Sequence, residues 1–221
     1  GVWSVSTNGG VWQTISDDET ETLYFFTNQG LQFYKGSNTT IYNKSNSIIP
    51  DNVIKQGCID AQGRVWLGTL SGLASYSNYT ITTYDKTNSI LGTEEITALA
   101  LGVDNRLWIG TANGLIVKDG DNWVHYTPDN SGLPASYISN LIVDKNGVIW
   151  MGVKDIGLVS FDGTNWTQFN SSNSPLTSNY VAKLTVDKKG NLWVATANHG
   201  FLSTNAGCGL LKYDGTAWTK F

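Results

Sequence analysis

Charge is the first thing this sequence has little of. Only 14% of its residues are charged, 14 Lys and Arg against 18 Asp and Glu for a net charge of −4, and no basic run occurs anywhere. The electrostatic footprint of a nucleic-acid-binding surface, or of one drawn to an anionic membrane, is therefore missing. No apolar stretch approaches the roughly 18 residues that read as a membrane span. The sequence opens at Gly1 with neither an initiator Met nor a charged-then-apolar leader, so it is read as a mature chain or a trimmed piece, with a removed export signal permitted. Cysteine and histidine occur twice each, at Cys58, Cys208, His125 and His199, and only His199 and Cys208 share a loop. That spacing argues against a metal centre, and no phosphate loop or nucleotide fingerprint is present, so no cofactor is expected.

What the sequence does have is aromatic and β-branched residues. Aromatics make up 12%, with nine Trp and ten Tyr against a single Met, a composition for strands rather than helices. The aromatics are periodic. A frame written L/V/I-W-x-G-T-x-x-G-L recurs at Tyr24, Trp66, Trp108, Trp150 and Trp193, in steps of 42, 42, 42 and 43 residues. Six residues before each stands Asp18, Asp60, Gly102, Asp144 or Asp187, and three before stands Gly63, Gly147 or Gly190, with Glu21 and Asn105 in the other copies. This is a tight turn of the D-x-x-G kind, in which the carboxylate caps turn backbone.

Six residues further back, Trp12, Ile54, Ile96, Ile138 and Val181 open a first strand, A. The aromatic frame is strand B, and the Gly-Leu segments such as 114–117 and 209–213 are strand C. Asp-Gly pairs at 119/120, 162/163 and 214/215 turn the chain into strand D, as hairpin turns with positive φ favour. From D the chain returns through an aromatic-x-x-x-Asn-Ser loop at Asn46, Asn88, Asn130 and Asn173. Four short strands per unit with no helix between them predict an all-β fold: a five-bladed β-propeller of four-stranded antiparallel blades with a repeat of about 42 residues. Blade 1 is placed at about 11–45, blade 2 at 46–87, blade 3 at 88–129, blade 4 at 130–172 and blade 5 at 173–221 of a single 1–221 domain. Residues 2–6 are read as an extra outer strand closing the ring, which removes exposed strand edges, with the tail of an upstream blade in a larger parent as the alternative. With Cys58 and Cys208 in blades 2 and 5, two free thiols are expected, and the repeated Trp residues are read as packing between blades.

Functional residues are sought where the repeat breaks. D–A loops and B–C turns share one end of each blade, and the departures gather there. Glu94 and Glu95 replace neutral residues before strand A of blade 3. The B–C turn of blade 4 gains one residue and two charges, Lys154 and Asp155, and that of blade 5 swells by about nine residues to include His199 and Phe201. Tyr137 and Tyr180 stand at the entries to two strand A segments. Glu94, Glu95, Tyr137, Lys154, Asp155, Tyr180, His199 and Phe201 are therefore the candidate ligand-binding residues. Aromatic faces, carboxylates and amides together suit a hydroxyl-rich ligand such as a glycan fragment. No catalytic residue is assigned: Glu94 and Glu95 are adjacent on an extended segment and point to opposite faces, and a lone His in a Gly/Asn/Ser loop is more often solvated than a general base.

The segment 132–150, Gly-Leu-Pro-Ala-Ser-Tyr-Ile-Ser-Asn-Leu-Ile-Val-Asp-Lys-Asn-Gly-Val-Ile-Trp, and the segment 107–115, Leu-Trp-Ile-Gly-Thr-Ala-Asn-Gly-Leu, resemble the two-component-regulator propeller repeat. That resemblance implies the exported sensor portion of Bacteroidetes hybrid two-component systems, a periplasmic or surface location, glycan readout and no enzyme activity. Such sensors carry many more blades, then a β-sandwich, a membrane span and a kinase, so the chain is read as a stand-alone relative or an excised piece. The spacing D-x-x-G-x-x-W is also similar to streptogramin-lyase propellers, which place Phe-Thr after the Trp where this chain has Leu-Gly, Ile-Gly, Met-Gly and Val-Ala. The expected function is a non-catalytic ligand-binding, sensor-type module, with a protein-docking scaffold and a lyase-like or glycoside-active enzyme as alternatives.

Overall fold

The computed structural model describes residues 10–92, 94–197 and 209–221, and no helix occurs among them. Five four-stranded antiparallel sheets follow one another along the chain, each a meander of consecutive strands. Sheet 1 holds β1 (Val11–Asp17), β2 (Thr22–Thr27), β3 (Gly30–Lys35) and β4 (Asn38–Tyr42). Sheet 2 holds β5 (Ile54–Ile59), β6 (Val65–Thr69), β7 (Gly72–Ser77) and β8 (Thr80–Tyr84), and sheet 3 holds β9 (Ile96–Leu101), β10 (Leu107–Thr111), β11 (Gly114–Asp119) and β12 (Asn122–Tyr126). Sheet 4 holds β13 (Ile138–Val143), β14 (Ile149–Val153), β15 (Gly157–Phe161) and β16 (Trp166–Phe169), and sheet 5 holds β17 (Val181–Val186), β18 (Leu192–Thr196), β19 (Gly209–Tyr213) and β20 (Trp218–Lys220). These are the five all-β propeller blades that the repeat predicts. The strand expected at residues 2–6 lies outside the described residues.

The chain divides into two compact units, Gly1–Ile96 with sheets 1 and 2, and Thr97–Phe221 with sheets 3 to 5 apart from the first residue of β9. In the first unit Phe26, Leu31, Ile54, Leu67 and Ala74 are fully buried between the two sheets. In the second, Leu115, Ile138 and Met151 fill one core, and Leu158, Val194 and Leu211 another. Polar links between neighbouring first strands accompany the apolar packing. The Gln13 side chain both donates to Gly57 O (3.1 Å) and accepts from Gly57 N (2.9 Å). Thr97 Oγ1 donates to Ile138 O (2.5 Å), and Asn140 Nδ2 to Val181 O (3.1 Å).

The D-x-x-G-x-x-W spacing has a specific physical cause. Oδ1 of Asp60, Asp144 and Asp187 accepts the backbone N–H groups two and four residues ahead, while Oδ2 accepts the indole N–H of Trp66, Trp150 or Trp193, each at 3.0 Å. The turn thus satisfies the one polar atom of a large ring. Charge-assisted bonds of this kind are the stronger class, and they hold the Asp187 carboxyl well below its ordinary range, the Trp193 bond being the largest contribution. Trp108 packs edge-on to Phe161 of the next sheet and Trp150 to Tyr213, in keeping with a packing role.

One alignment needs correction. In sheet 1 the turn carboxylate is Asp17, not Asp18: Asp17 Oδ1 accepts from the N–H groups of Glu19 (3.1 Å) and Thr20 (3.3 Å). Asp17 pairs opposite Thr22, so this turn is one residue longer than the others, and β1 accordingly begins at Val11 rather than Trp12. A fixed count backward from Tyr24 cannot register that extra residue.

The Asn-Ser loops are clamps of one design. Oδ1 of Asn46, Asn88, Asn130 and Asn173 accepts the N–H three residues earlier, and Nδ2 donates to the carbonyl five residues earlier, at 2.8–3.0 Å throughout. The following serine hydroxyl donates to the carbonyl four residues back. Each clamp delivers a buried apolar residue, Ile49, Leu91, Leu133 or Leu176, under the sheet end.

Candidate functional site

At the end of sheets 4 and 5 where D–A loops and B–C turns meet, a cleft of about 260 Å³ is lined by Tyr137, Ser139, Val153, Lys154, Asn179, Tyr180 and Val181. Its position follows from the repeat: Tyr137 and Tyr180 precede the first residues of β13 and β17, and Lys154 opens the turn between β14 and β15. The backbone fixes all three. Lys154 N donates to Tyr137 O (3.0 Å), and Ala197 N donates to Tyr180 O (3.0 Å), which ties each tyrosine to the neighbouring turn. Lys154 Nζ lies 5.8 Å from the centre of the Tyr137 ring, a cation–π contact.

Both tyrosines keep 38% of their surface exposed, unlike the fully buried strand residues beside them. Two half-exposed phenol rings, one ammonium group, the Ser139 hydroxyl and the Asn179 amide give the cleft an apolar platform and both donors and acceptors. Asn179 Oδ1 already accepts Ser171 N (2.9 Å), so this side chain is held in place by the preceding loop. The extra residue in the turn of sheet 4 is accommodated by Asp155 at φ 62, a left-handed conformation that Asp tolerates.

The predicted site residues separate into three groups. Tyr137, Lys154 and Tyr180 come together in this cleft, and Asp155 stands exposed next to Lys154 without lining it. Glu94 and Glu95 belong to the first unit, where Glu95 Oε1 pairs with Lys55 Nζ (2.8 Å) and Glu94 Oε2 accepts Gly92 N (2.7 Å). Both carboxylates thus have local structural partners. His199 and Phe201 lie outside the described residues, as does Cys208; Cys58 is a free thiol that burial, and next the Asp60 carboxylate, push up to about 12. Ser139 and Asn179 were not singled out by their sequence, and the only signal for them is adjacency to the strand entries. Among the described residues no group of three or more His, Cys, Asp or Glu is placed to hold a metal ion, and no helix is long and apolar enough to cross a membrane.

Comparison with known proteins bears on the repeat itself. Residues 132–155 and 175–198 match the family model described as two component regulator propeller. Both segments are thus similar to that repeat. They cover the D–A loop exits, the first two strands and the turns of sheets 4 and 5, and so include Tyr137, Lys154, Asn179 and Tyr180 of the cleft. Among curated proteins none matches the chain.

Among solved structures, the extracellular domain of a putative hybrid two component system from B. thetaiotaomicron is similar at a TM-score of 0.76 and 20% identity, over 100% of this chain and 30% of that one. A second such domain from B. thetaiotaomicron gives 0.70 and 19%, over 98% of this chain and 34% of that one. A catalytically inactive virginiamycin B lyase from Staphylococcus aureus with quinupristin gives 0.73 and 13%, over 99% of this chain and 71% of that one. At these identities the likeness is one of fold. The chain spans about a third of the length of the two extracellular domains.

Proposed function

We propose that this chain is an exported, non-catalytic binding module of the sensor type, and that the cleft between Tyr137, Lys154 and Tyr180 takes a polar, hydroxyl-rich ligand, with carbohydrate as the class. The observation that carries this reading is the pair of half-exposed tyrosines flanking an ammonium group in a cleft built from two D–A loops and a B–C turn. Such rings stack on the apolar face of a sugar while the Lys, Ser and Asn side chains meet its hydroxyls. The likeness to extracellular domains of hybrid two component systems supports export and a sensing role. Asp155, next to Lys154 in the same turn, is a further candidate contributor to ligand binding.

The test is a thermal-shift screen of the chain against neutral and acidic oligosaccharides, repeated with Tyr180→Ala and Lys154→Ala. A ligand at 100 times its Kd adds about 2.7 kcal/mol of stability. One oligosaccharide that stabilises the parent, and fails to stabilise Tyr180→Ala, supports the reading. Equal stabilisation of parent and both variants would move the site elsewhere, and no shift across the screen would remove carbohydrate as the ligand class.

A further inference from the structure

The first unit has a second cleft, at the opposite end of its sheets, where A–B and C–D turns lie. Its volume is about 350 Å³, within the range of small-molecule sites of ~300–1,000 Å³. It opens where the repeat is broken twice. In sheets 2, 4 and 5 a Trp fills the start of the second strand and its indole N–H is tied to the turn aspartate. Sheet 1 has Tyr24 instead, and Asp17 turns its carboxylate inward on its own loop, Oδ2 accepting from Thr20 Oγ1 at 2.6 Å. The smaller ring and the longer turn leave the space that an indole would occupy. Tyr24, Phe33 and Tyr76, each 6% exposed and packed ring against ring, form the wall of the cleft.

The second break is at the mouth. The β7–β8 turn carries Asn78 at φ 49 and Tyr79 at φ 62, and Tyr79 is 77% exposed. The corresponding turns of sheets 1 and 3 use Gly36 and Gly120 for the first left-handed position, and the residues that follow, Ser37 and Asp121, do not take positive φ. An aromatic L-residue in the left-handed region is disfavoured, and strain of this kind persists where the surroundings or a function require it. The turn therefore holds a large ring in water, at a conformational cost, beside an aromatic-walled cleft.

The remaining lining decides the ligand class. It includes hydroxyl and amide side chains: Thr20, Thr22, Ser77, Gln62 and Asn78. Asp17 and Glu19 against Lys35 leave the lining one carboxylate in excess, and carboxylate oxygens accept the hydroxyl hydrogens of a sugar. Burial pushes the Tyr24 and Tyr76 phenols up from their ordinary value. We propose that this cleft is a binding site for a neutral sugar ring, with Tyr79 as the stacking platform and Gln62, Lys35 and the turn hydroxyls as hydrogen-bond partners. The proposal does not rest on the cleft at Tyr137 and Tyr180, which lies in the other unit.

The experiment is a titration of the full chain, with ¹³C-labelled tyrosine rings, against maltotriose, cellotriose and mannotriose, and separately against tetramethylammonium chloride as a cationic probe. At least one trisaccharide is expected to shift the Tyr79 ring signal at millimolar concentration. Tyr79→Gly, read from the Tyr24 and Tyr76 ring signals of the same cleft, is expected to weaken that binding about two- to tenfold, the size of one lost stacking contact. The same variant should hold or raise Tm, because glycine relieves the left-handed strain, so loss of binding cannot be put down to unfolding. Tyr79→Trp should retain binding. Three outcomes overturn the proposal: no trisaccharide moves the Tyr79 signal, Tyr79→Gly binds as the parent does, or tetramethylammonium and not a sugar moves it.

Discussion

Sheets 1 and 2 meet through an exchange of bulk that is open to a double-mutant test. In the second unit a glycine of the second strand receives an aliphatic residue from the next sheet's first strand: Gly110 lies against Ile138, and Gly152 against Val181. In sheet 1 the residue at that position is Phe26, fully buried, and the strand it meets carries Gly57. A Cβ added at Gly57 would sit 2.7 Å from Cε1 and Cε2 of the ring, against ordinary contacts of ~3.5–4.0 Å. The backbone cannot easily retreat, since Gln13 holds Gly57 through both N and O. Gly57→Ala should therefore cost about 1–3 kcal/mol by overpacking, less ~0.4–1 kcal/mol regained from the stiffer unfolded chain. Phe26→Leu should cost about 1–2 kcal/mol, short of the ~3–5 kcal/mol of a Phe→Ala truncation. Together the two changes should cost at least ~1 kcal/mol less than their sum, because the added methyl enters the space the ring vacates. Urea unfolding of the four proteins with a common m-value measures this. Additivity to within ~0.5 kcal/mol would refute the account of Gly57 as a seat for Phe26.

Two further outcomes follow from the same packing and turn chemistry. The strand C leucine is fully buried as Leu31, Leu73, Leu115 and Leu158 but 42% exposed as Leu210, so Leu158→Ala should cost ~2–5 kcal/mol and Leu210→Ala clearly less; equal losses would show that Leu210 is covered in solution. Hydrogen bonds lower the carboxyls of Asp85, Asp162 and Asp187 and bring Asp214 down to about 2, chiefly through Ala217 N–H. Folded values below the ordinary 3.8 mean stability that is full above ~4 and is lost as pH falls toward ~2. The urea midpoint should thus fall with acid over that interval, by less in Asp187→Ala, and a midpoint that rises there would refute the assignment.

Much of the fold was legible because the repeat states it five times. The Trp steps, the Asp turns and the Asn-Ser loops each recur in a register that only a four-stranded meander satisfies, and their hydrogen bonds span no more than six residues. Chemistry that local is carried by spacing alone. The slip from Asp18 to Asp17 marks the limit of that reading, since a turn can lengthen by one residue while every motif around it keeps its place.

The candidate site was legible only in part. That Tyr137, Lys154 and Tyr180 stand at one end of their sheets follows from strand order, which the sequence determined by itself. That they share one cleft, while Glu95 turns to Lys55, was decided by tertiary structure, because a carboxylate's distant partner depends on which side chain the neighbouring strand brings within 3 Å. The same holds for the exchange of Phe26 and Gly57 and for Tyr79. Each departs from the repeat in a single letter, and what the departure does depends on volume and backbone conformation contributed by a residue tens of positions away or by the turn itself. Periodicity encodes what all blades share; where two blades meet unequally, only packing in three dimensions says which residue fills the space and which one leaves it open.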